Sequence, residues 1–375
     1  MDCSSYLIED VKNKNRLILF SLLVLYFLLN LFKLTSLPVF ADEAIYIRWS
    51  QLIIDDFARY FFYPMNDGKT PLFMWLALPL LKIFSNQLFA ARLLSVLAGA
   101  ITLIFLYLIL RKIKERSAAL WAVFLAVLTP FLFFHNRLAI TDALLFCNLS
   151  IAYYFSLKIN DKHSLWSNLA LALFFFLSIM SKTPALLFMP IFYLTIFFEK
   201  KITRQKIASH TIKISLSMLL AALAFYSFRL VPLFSQLFAV GGNFLQNRET
   251  VFSLEIFSIA SNNALFFLNN LYIYLGPAIL ILSLPFFAKT RRKQSVLLLS
   301  GLLFLLPLIL LGKIIYSRYA LPSSLFFISS AAITLNNLKN KKLLRYFLLL
   351  SIILPSFLFI KNAYFKPDHL PLSKA

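Results

Sequence analysis

Charge is scarce in this sequence, and negative charge is the scarcer kind. Charged residues make up 14% of the 375 residues, with 15 Asp and Glu against 37 Lys and Arg. Hydrophobic residues make up 61%, and the mean hydropathy is +0.81. Soluble domains usually carry about a quarter charged residues. The composition therefore excludes an ordinary soluble domain and predicts an integral membrane protein.

Cysteine and histidine are also sparse. The two cysteines, Cys3 and Cys147, lie far apart, so we expect no structural disulfide. The four histidines have no ligand-like spacing: His135, His163, His210 and His369. The sequence therefore predicts no zinc site.

The net charge of +22 and the pI of about 10.0 raise the question of nucleic-acid binding. In this chain the basic residues border apolar runs, and in membrane proteins such residues set the orientation of the spans. We therefore expect membrane lipids, and no nucleic acid, as the partners of this basic charge.

Long apolar runs recur along the chain. About 17–25 helical residues cross the roughly 30 Å hydrocarbon core of a bilayer. The first run is longer than a signal-peptide core and lacks a cleavage site, so we expect an uncleaved helix. Segment 71–84 is too short to cross comfortably and contains Pro79, which favours an interfacial helix. The sequence predicts an all-α, polytopic fold with eleven crossings: 17–36, 88–110, 117–134, 143–158, 165–181, 184–198, 211–230, 263–288, 295–312, 317–335 and 343–360.

Basic clusters recur in every second loop between these crossings. They lie at 12–16, 111–116, 158–162, 200–213, 289–293 and 339–345. Since cytoplasmic loops collect Lys and Arg, we expect a cytoplasmic N-terminus, with loops 37–87 and 231–262 outside. The sequence has no period of 20–50 residues. We therefore expect a single transmembrane domain over residues 1–375, without a C-terminal soluble domain.

An acidic pair, Asp42 and Glu43, follows the first crossing. On spacing alone Asp42 could be a helix N-cap, with Glu43 favoured in the first turn by the helix dipole. We expect that helix to lie on the membrane surface, with one apolar face: Ile45, Trp49, Leu52 and Ile53.

Cations accompany the acidic pair on the same predicted face of the membrane, together with Asp142. They are Lys69, Arg137, Lys182 and Arg318, the last beside Tyr316 and Tyr319. Singly, each could be an interfacial anchor. Polar residues at membrane depth are nevertheless functional candidates. Carboxylates and cations that meet between an apolar wall and water suit a lipid phosphate as the substrate.

Six short motifs occur in order along the chain: DEAIY, KTPLFMW, AARLLSVLAGA, NRLAITD, SKTPALLFMP and RYALP. In this order they resemble the GT-C superfamily of membrane glycosyltransferases. The similarity is greatest to the protein O-mannosyltransferase and aminoarabinose transferase branch, with its bacterial relatives that modify lipopolysaccharide core sugars. It covers about residues 15–200 well and the rest loosely. Two features differ from the pattern: relatives usually have Lys-Pro-Pro at residues 69–71, and many carry a soluble C-terminal domain.

The resemblance implies transfer of a sugar from a polyprenyl phosphate to an acceptor hydroxyl on the outer face, with inversion. It implies Asp42 as the general base, Glu43 as its helper or the second candidate, and Asp142 as a supporting carboxylate. It also implies a set of substrate-binding residues: Lys69, Lys182, Arg137, Arg318, Tyr319 and Arg92. The donor sugar, the polyprenol and the acceptor, whether protein, lipid or glycan, stay open.

A metal is not expected, because lysine and arginine can compensate the charge of one lipid phosphate. The sequence contains no Asp-x-Asp motif, and the adjacent Asp55 and Asp56 suit a surface helix. We therefore predict an enzyme that needs neither a metal nor a cofactor.

Two other functions are compatible with eleven crossings. A transporter or flippase tends to have Gly- or Pro-broken helices and ionisable residues near the midplane, often in two matching halves. This chain has only seven glycines, and its acidic residues lie at helix ends. A polysaccharide ligase usually has a large late outer loop rich in Arg and His, whereas loop 231–262 contains no histidine.

Overall fold

The computed structural model describes residues 3–161, 164–285 and 291–366, which fold almost entirely into helices. The one β feature among these residues is an isolated antiparallel bridge between Leu245 and Gly312. The α-helices, numbered in chain order, are α1 (Cys3–Leu31), α2 (Ala41–Asp55), α3 (Phe57–Tyr60), α4 (Leu72–Ile83), α5 (Gln87–Ile113), α6 (Arg116–Leu128), α7 (Pro130–His135), α8 (Thr141–Lys158), α9 (Ser164–Ser181), α10 (Met189–Leu194), α11 (Arg204–Tyr226), α12 (Phe234–Gly241), α13 (Arg248–Val251), α14 (Glu255–Leu275), α15 (Pro277–Ser283), α16 (Arg291–Leu311), α17 (Ser324–Asn337) and α18 (Lys342–Phe365).

In the described part of the chain, six helices are long and apolar enough to cross a membrane: α1, α5, α9, α11, α16 and α18. The bent pair of α14 and α15 makes a seventh if it is counted as one span. The predicted all-α, polytopic fold is therefore confirmed, whereas the count of eleven crossings stays a prediction. The end of the predicted crossing 263–288 lies outside the described residues, as do Lys162 and Lys289 of the basic clusters.

Proline and glycine divide several of the runs that the sequence suggests as single crossings. The run 117–134 is interrupted at Pro130, which begins α7. Helices α14 and α15 meet at 107°, where Gly276 adopts φ +82° and Pro277 begins the second helix. Proline removes a backbone donor and disfavours helix at the residue before it, so a helix ends or bends there.

The first large loop contains three short helices, as the interfacial interpretation expects. Helix α4 has 12 residues with Pro79 inside it, and it matches the predicted segment 71–84. The packed face of α2 differs from the predicted apolar face, because its buried residues include Tyr46 and Ser50. Ile45 of the predicted face is 39% exposed. Ile53 of the predicted face is buried and Trp49 packs partly against the core, so the buried side of α2 overlaps the predicted face and adds polar residues to it.

Helix α8 lies at the centre of the molecule. Residues 141–153 are all buried, and α5 and α9 pack against this helix. A helix that is apolar on all sides belongs in a core. Asp142 lies in the first turn of α8, Lys182 directly follows α9, and Arg318 lies just before α17. The packing of these helices therefore brings three charged residues to one end of the bundle.

Candidate active site

A cavity of about 470 Å³ opens at this end of the bundle. Five of the predicted site residues line it: Asp42, Lys69, Lys182, Arg318 and Tyr319. Its remaining wall is largely apolar and includes Leu187, Leu237 and Pro307. The cavity therefore combines one accessible carboxylate and three cations with an oily surface.

Each charged residue in the cavity lies at the end of a helix or in a turn. Asp42 is in the first turn of α2, and Lys182 immediately follows α9. Lys69 follows Gly68, which ends a 3-10 turn in the left-handed region at φ +69°. Arg318 belongs to the 3-10 turn Ser317–Ser323. Helix ends leave backbone groups unpaired and side chains free to turn inward, so they suit a binding site.

The carboxylates and cations form one alternating network. The guanidinium of Arg318 donates to Asp42 Oδ2 at 2.8 Å, and its Nε lies 3.7 Å from Asp142 Oδ2. The Lys182 ammonium donates to Asp142 Oδ1 at 2.7 Å. Both carboxylates are thus paired with cations, and Arg318 links the two.

Burial separates the roles that the two carboxylates can take. The side chain of Asp42 is 22% exposed and lines the cavity. That of Asp142 is 3% exposed and lies behind Lys182 and Arg318. Asp42 is therefore accessible to a bound molecule, whereas Asp142 is separated from the cavity by the two cations that it contacts.

An aromatic ring lies beside each cavity cation. The Lys182 ammonium lies 4.3 Å from the centroid of Tyr319, and the Arg318 guanidinium lies 4.5 Å from that of Tyr316. Lys69 lies 5.3 Å from the ring of Phe244. Such contacts attract a cation while leaving its N–H groups free to donate.

Lys182 titrates closer to neutrality than an ordinary lysine. Burial lowers the pKa of its ammonium to about 8, although the adjacent Asp142 carboxylate acts in the opposite direction. The charge of Lys182 therefore changes within an accessible pH range.

Glu43 does not line the cavity, and its carboxylate is fully buried against Arg92. Arg92 donates to both of its oxygens, at 2.8 and 2.7 Å. The backbone N–H groups of Phe40 and Ala139 donate to Glu43 as well, at 2.9 and 2.6 Å. Glu43, rather than Asp42, therefore caps α2, and both of its oxygens are occupied by the protein.

Arg92 and Arg137 also lie outside the cavity lining, and both are fully buried. Arg92 donates to the carbonyls of Leu34, Leu37 and Pro38, in addition to Glu43. The guanidinium of Arg137 donates to a cluster of carbonyls at the end of α1: Leu29, Asn30, Phe32 and Lys33. In this geometry both arginines tie chain segments together.

Several cavity residues come from loop 231–262, where the sequence reasoning identified none. Leu237, Phe238 and Phe244 lie in this loop. Its apolar residues were a signal that this part of the loop packs against protein or lipid. The partner of Phe244, Lys69, lies 175 positions earlier, and sequence spacing alone cannot pair two such residues.

The described residues contain no group of three or more His, Cys, Asp or Glu side chains that could hold a metal ion. The ion pairs in the cavity join carboxylates to Lys and Arg instead. The arrangement suits electrostatic binding of an anion next to a base, which is what transfer from a phosphate ester requires.

The chain matches a known protein family over part of its length. The sequence model of the dolichyl-phosphate-mannose-protein mannosyltransferase family matches residues 68–228, which include Lys69, Asp142 and Lys182. No curated protein sequence matches the chain.

Solved structures share the fold at low sequence identity. ArnT from Cupriavidus metallidurans bound to undecaprenyl phosphate is 15% identical, with a TM-score of 0.68 over 99% of this chain and 68% of that one. The apo oligosaccharyltransferase of Archaeoglobus fulgidus is 14% identical, with a TM-score of 0.64 over 93% and 56%. AglB of the same organism, in complex with an inhibitory peptide and a dolichol-phosphate, is 13% identical, with a TM-score of 0.61 over 94% and 56%.

This chain thus spans little more than half the length of the archaeal oligosaccharyltransferase. Nearly all of its own length aligns with each of the three structures. The chain has the fold of the GT-C superfamily of membrane glycosyltransferases, and its residues 68–228 match the dolichyl-phosphate-mannose-protein mannosyltransferase family.

Proposed function

We propose that this chain is a glycosyltransferase that moves a sugar from a polyprenyl-phosphate donor to an acceptor hydroxyl on the outer face of the membrane. The observation that carries the proposal is one cavity in which the accessible Asp42 carboxylate meets three cations. The fold supports it, because ArnT is bound to undecaprenyl phosphate and AglB to a dolichol-phosphate.

The phosphate of the donor is bound by Lys69, Lys182 and Arg318. As the bond to the sugar breaks, negative charge grows on the leaving phosphate, and fixed cations facing it lower the barrier. A second cavity, of about 410 Å³, is lined almost entirely by apolar side chains. It shares Leu186 and Phe238 with the polar cavity, so a lipid tail can lie there while its phosphate lies beside the cations.

Asp42 is the general base that removes the proton from the acceptor hydroxyl as this oxygen attacks the anomeric carbon. A positioned base typically contributes a factor of about 10²–10⁴ in rate. Attack opposite the leaving phosphate inverts the anomeric configuration. Glu43 was the second candidate for this role, but its bonds to Arg92 and two backbone N–H groups favour a structural one.

The test is transfer of radiolabelled sugar from polyprenyl-phosphate donors to membrane extract, with detergent-purified wild type and Asp42→Asn. We expect the rate to fall about 10²-fold or more while donor binding is retained, because the amide cannot accept the proton. Asp55→Asn is the matched control, since Asp55 is an exposed acid on the same helix.

Equal transfer by wild type and Asp42→Asn would exclude Asp42 as the base. Absence of transfer from every donor tested would instead favour the transporter or flippase interpretation. Donor binding, measured separately, shows whether the substitution affected the chemistry or the site.

We also propose that the enzyme works without a metal ion or cofactor. Cations already compensate the carboxylates of the network, and the same cations face the cavity where a phosphate would bind. We expect transfer to persist in excess EDTA after dialysis against the chelator. Loss of transfer that added Mn²⁺ or Mg²⁺ restores would show that this proposal is wrong.

A further inference from the structure

Lys69 differs from the other two cavity cations in the group that holds it. Lys182 and Arg318 each contact a carboxylate, at 2.7 and 2.8 Å. For the Lys69 ammonium the structure shows an aromatic ring, with Nζ 5.3 Å from the centroid of Phe244. A carboxylate would compete with a substrate phosphate for the N–H groups of the ammonium. A ring face attracts the charge and leaves all three available.

Backbone hydrogen bonds attach Phe244 to the end of α16. The N–H groups of Lys313 and Ile314 donate to the Phe244 carbonyl, at 2.9 and 3.4 Å. The next two residues are attached to the same helix end. Leu245 forms a β-bridge with Gly312, and the Gln246 N–H donates to the Leu311 carbonyl at 2.9 Å. The ring beside Lys69 is therefore carried by an anchored segment of loop 231–262.

The same segment packs against the residue before Lys69. A Cβ at Gly68 would lie only 2.8 Å from the Cβ of Val240. Gly68 thus packs against Val240, and the neighbouring Lys69 lies beside Phe244. Both the turn that carries Lys69 and its ammonium are therefore in contact with this one segment.

We propose that Phe244 is a positioning residue for the donor phosphate. Its ring holds the Lys69 ammonium at the cavity wall, so less side-chain freedom is lost when a phosphate ester binds. The inference rests on the proposed function, in which Lys69 binds that phosphate. It makes a residue of loop 231–262 a determinant of donor affinity, although the residue donates no hydrogen bond to the donor.

The experiment measures the Kd of undecaprenyl phosphate for detergent-purified wild type, Phe244→Leu and Phe244→Tyr. Leucine retains an apolar side chain but removes the ring, so we expect the Kd to rise about three- to thirtyfold. Tyrosine retains the ring, and its Kd should stay within about twofold of wild type. In transfer assays the loss should fall on the donor KM rather than on kcat. If Phe244→Leu does not fold, Phe244→Met removes the ring equally.

Two controls separate a specific effect from a general one. Phe252→Leu makes the same substitution in the same loop at a ring that is 89% exposed, and it should leave the Kd unchanged. In a Lys69→Ala background, Phe244→Leu should have no further effect, since the ring acts through the ammonium.

Additive losses in the double variant, or equal Kd values for wild type and Phe244→Leu, would overturn the inference while leaving the proposed function intact. Wild-type protein that binds no undecaprenyl phosphate would overturn the proposed function, and the role of Phe244 with it.

Discussion

At the scale of residues, two aspartates of one network differ in how far they are buried. Asp142 is 3% exposed and lies between Lys182 and Arg318. A substitution that removes its carboxylate therefore takes a buried negative charge away from two cations. Asp42 is 22% exposed and contacts Arg318. Substitutions of Asp142 therefore test folding and chemistry together, whereas those of Asp42 test mainly chemistry.

The lowered pKa of Lys182 predicts how activity depends on pH. Burial lowers its pKa to about 8, so the ammonium is charged below this pH and loses its proton as the pH rises through it. In the proposed function, binding of the donor phosphate needs the charged form of Lys182. We therefore expect kcat/KM for the donor to fall about tenfold per pH unit above about pH 8, in an assay from pH 6 to 10, since this ratio reports the free enzyme.

The control is Lys182→Arg, whose guanidinium stays charged throughout this range. Its absolute kcat/KM can differ from that of wild type, but the fall above pH 8 should disappear. The same fall in both proteins would assign the titration to another group.

At the scale of elements, Glu43 joins three parts of the chain. It caps α2, pairs with Arg92 on α5, and accepts the Ala139 N–H from the loop before α8. Asp42 is the residue before Glu43, and Asp142 lies three residues after Ala139. The Glu43 carboxylate thus fixes the distance between the two aspartates of the cavity network, without lining the cavity itself.

We expect Glu43→Gln to lower the free energy of unfolding by about 3–5 kcal/mol, because it leaves the buried Arg92 without its compensating charge. Denaturant unfolding of the detergent-purified protein measures the change. Glu249→Gln, at an exposed acid of loop 231–262, should have almost no effect. A Glu43→Gln protein as stable as wild type but unable to transfer sugar would instead support Glu43 as the base.

Arg137 has a comparable role at the end of α1. Four carbonyls at the end of this helix accept from its guanidinium, and Phe133 and Tyr364 lie against its plane. The last carbonyls of a helix lack partners within the helix, and a cation there is favourable. Both terminal nitrogens of the arginine that the sequence suggests as a phosphate ligand therefore donate to backbone carbonyls instead.

At the scale of the whole molecule, the cavity and the basic clusters lie at opposite ends of the helices. Helix α9 ends beside Lys182 at the cavity and begins after cluster 158–162. Helix α16 ends at Leu311 on the cavity wall and begins with the basic residues Arg291 and Arg292. If basic loops face the cytoplasm, the cavity faces outward.

This orientation predicts the outcome of cysteine labelling in a background without Cys3 and Cys147. We expect a membrane-impermeant maleimide to label Glu249→Cys on intact cells, and Lys201→Cys only after permeabilisation. Both positions are exposed, and they lie in loops of opposite predicted sides. Labelling of Lys201→Cys on intact cells, with Glu249→Cys protected, would reverse the orientation.

The sequence by itself determined the class of the protein and much of the cavity. Composition and long apolar runs require a helical membrane protein, because a chain in lipid must satisfy its backbone polar groups internally. Charged residues are costly in such a chain, so the few near predicted outer loops were conspicuous. Four of these charged residues line one cavity: Asp42, Lys69, Lys182 and Arg318. Tyr319, the neighbour of Arg318, lines it as well.

Only the tertiary structure decided which charged residues are left for a ligand. Arg92 and Arg137 are in motifs as prominent as that of Lys69, but packing surrounds them with Glu43 and backbone carbonyls. The same packing brings Phe244 beside Lys69. The physical reason is that a charge buried among helices must find partners from distant segments, and sequence spacing does not specify which segments meet.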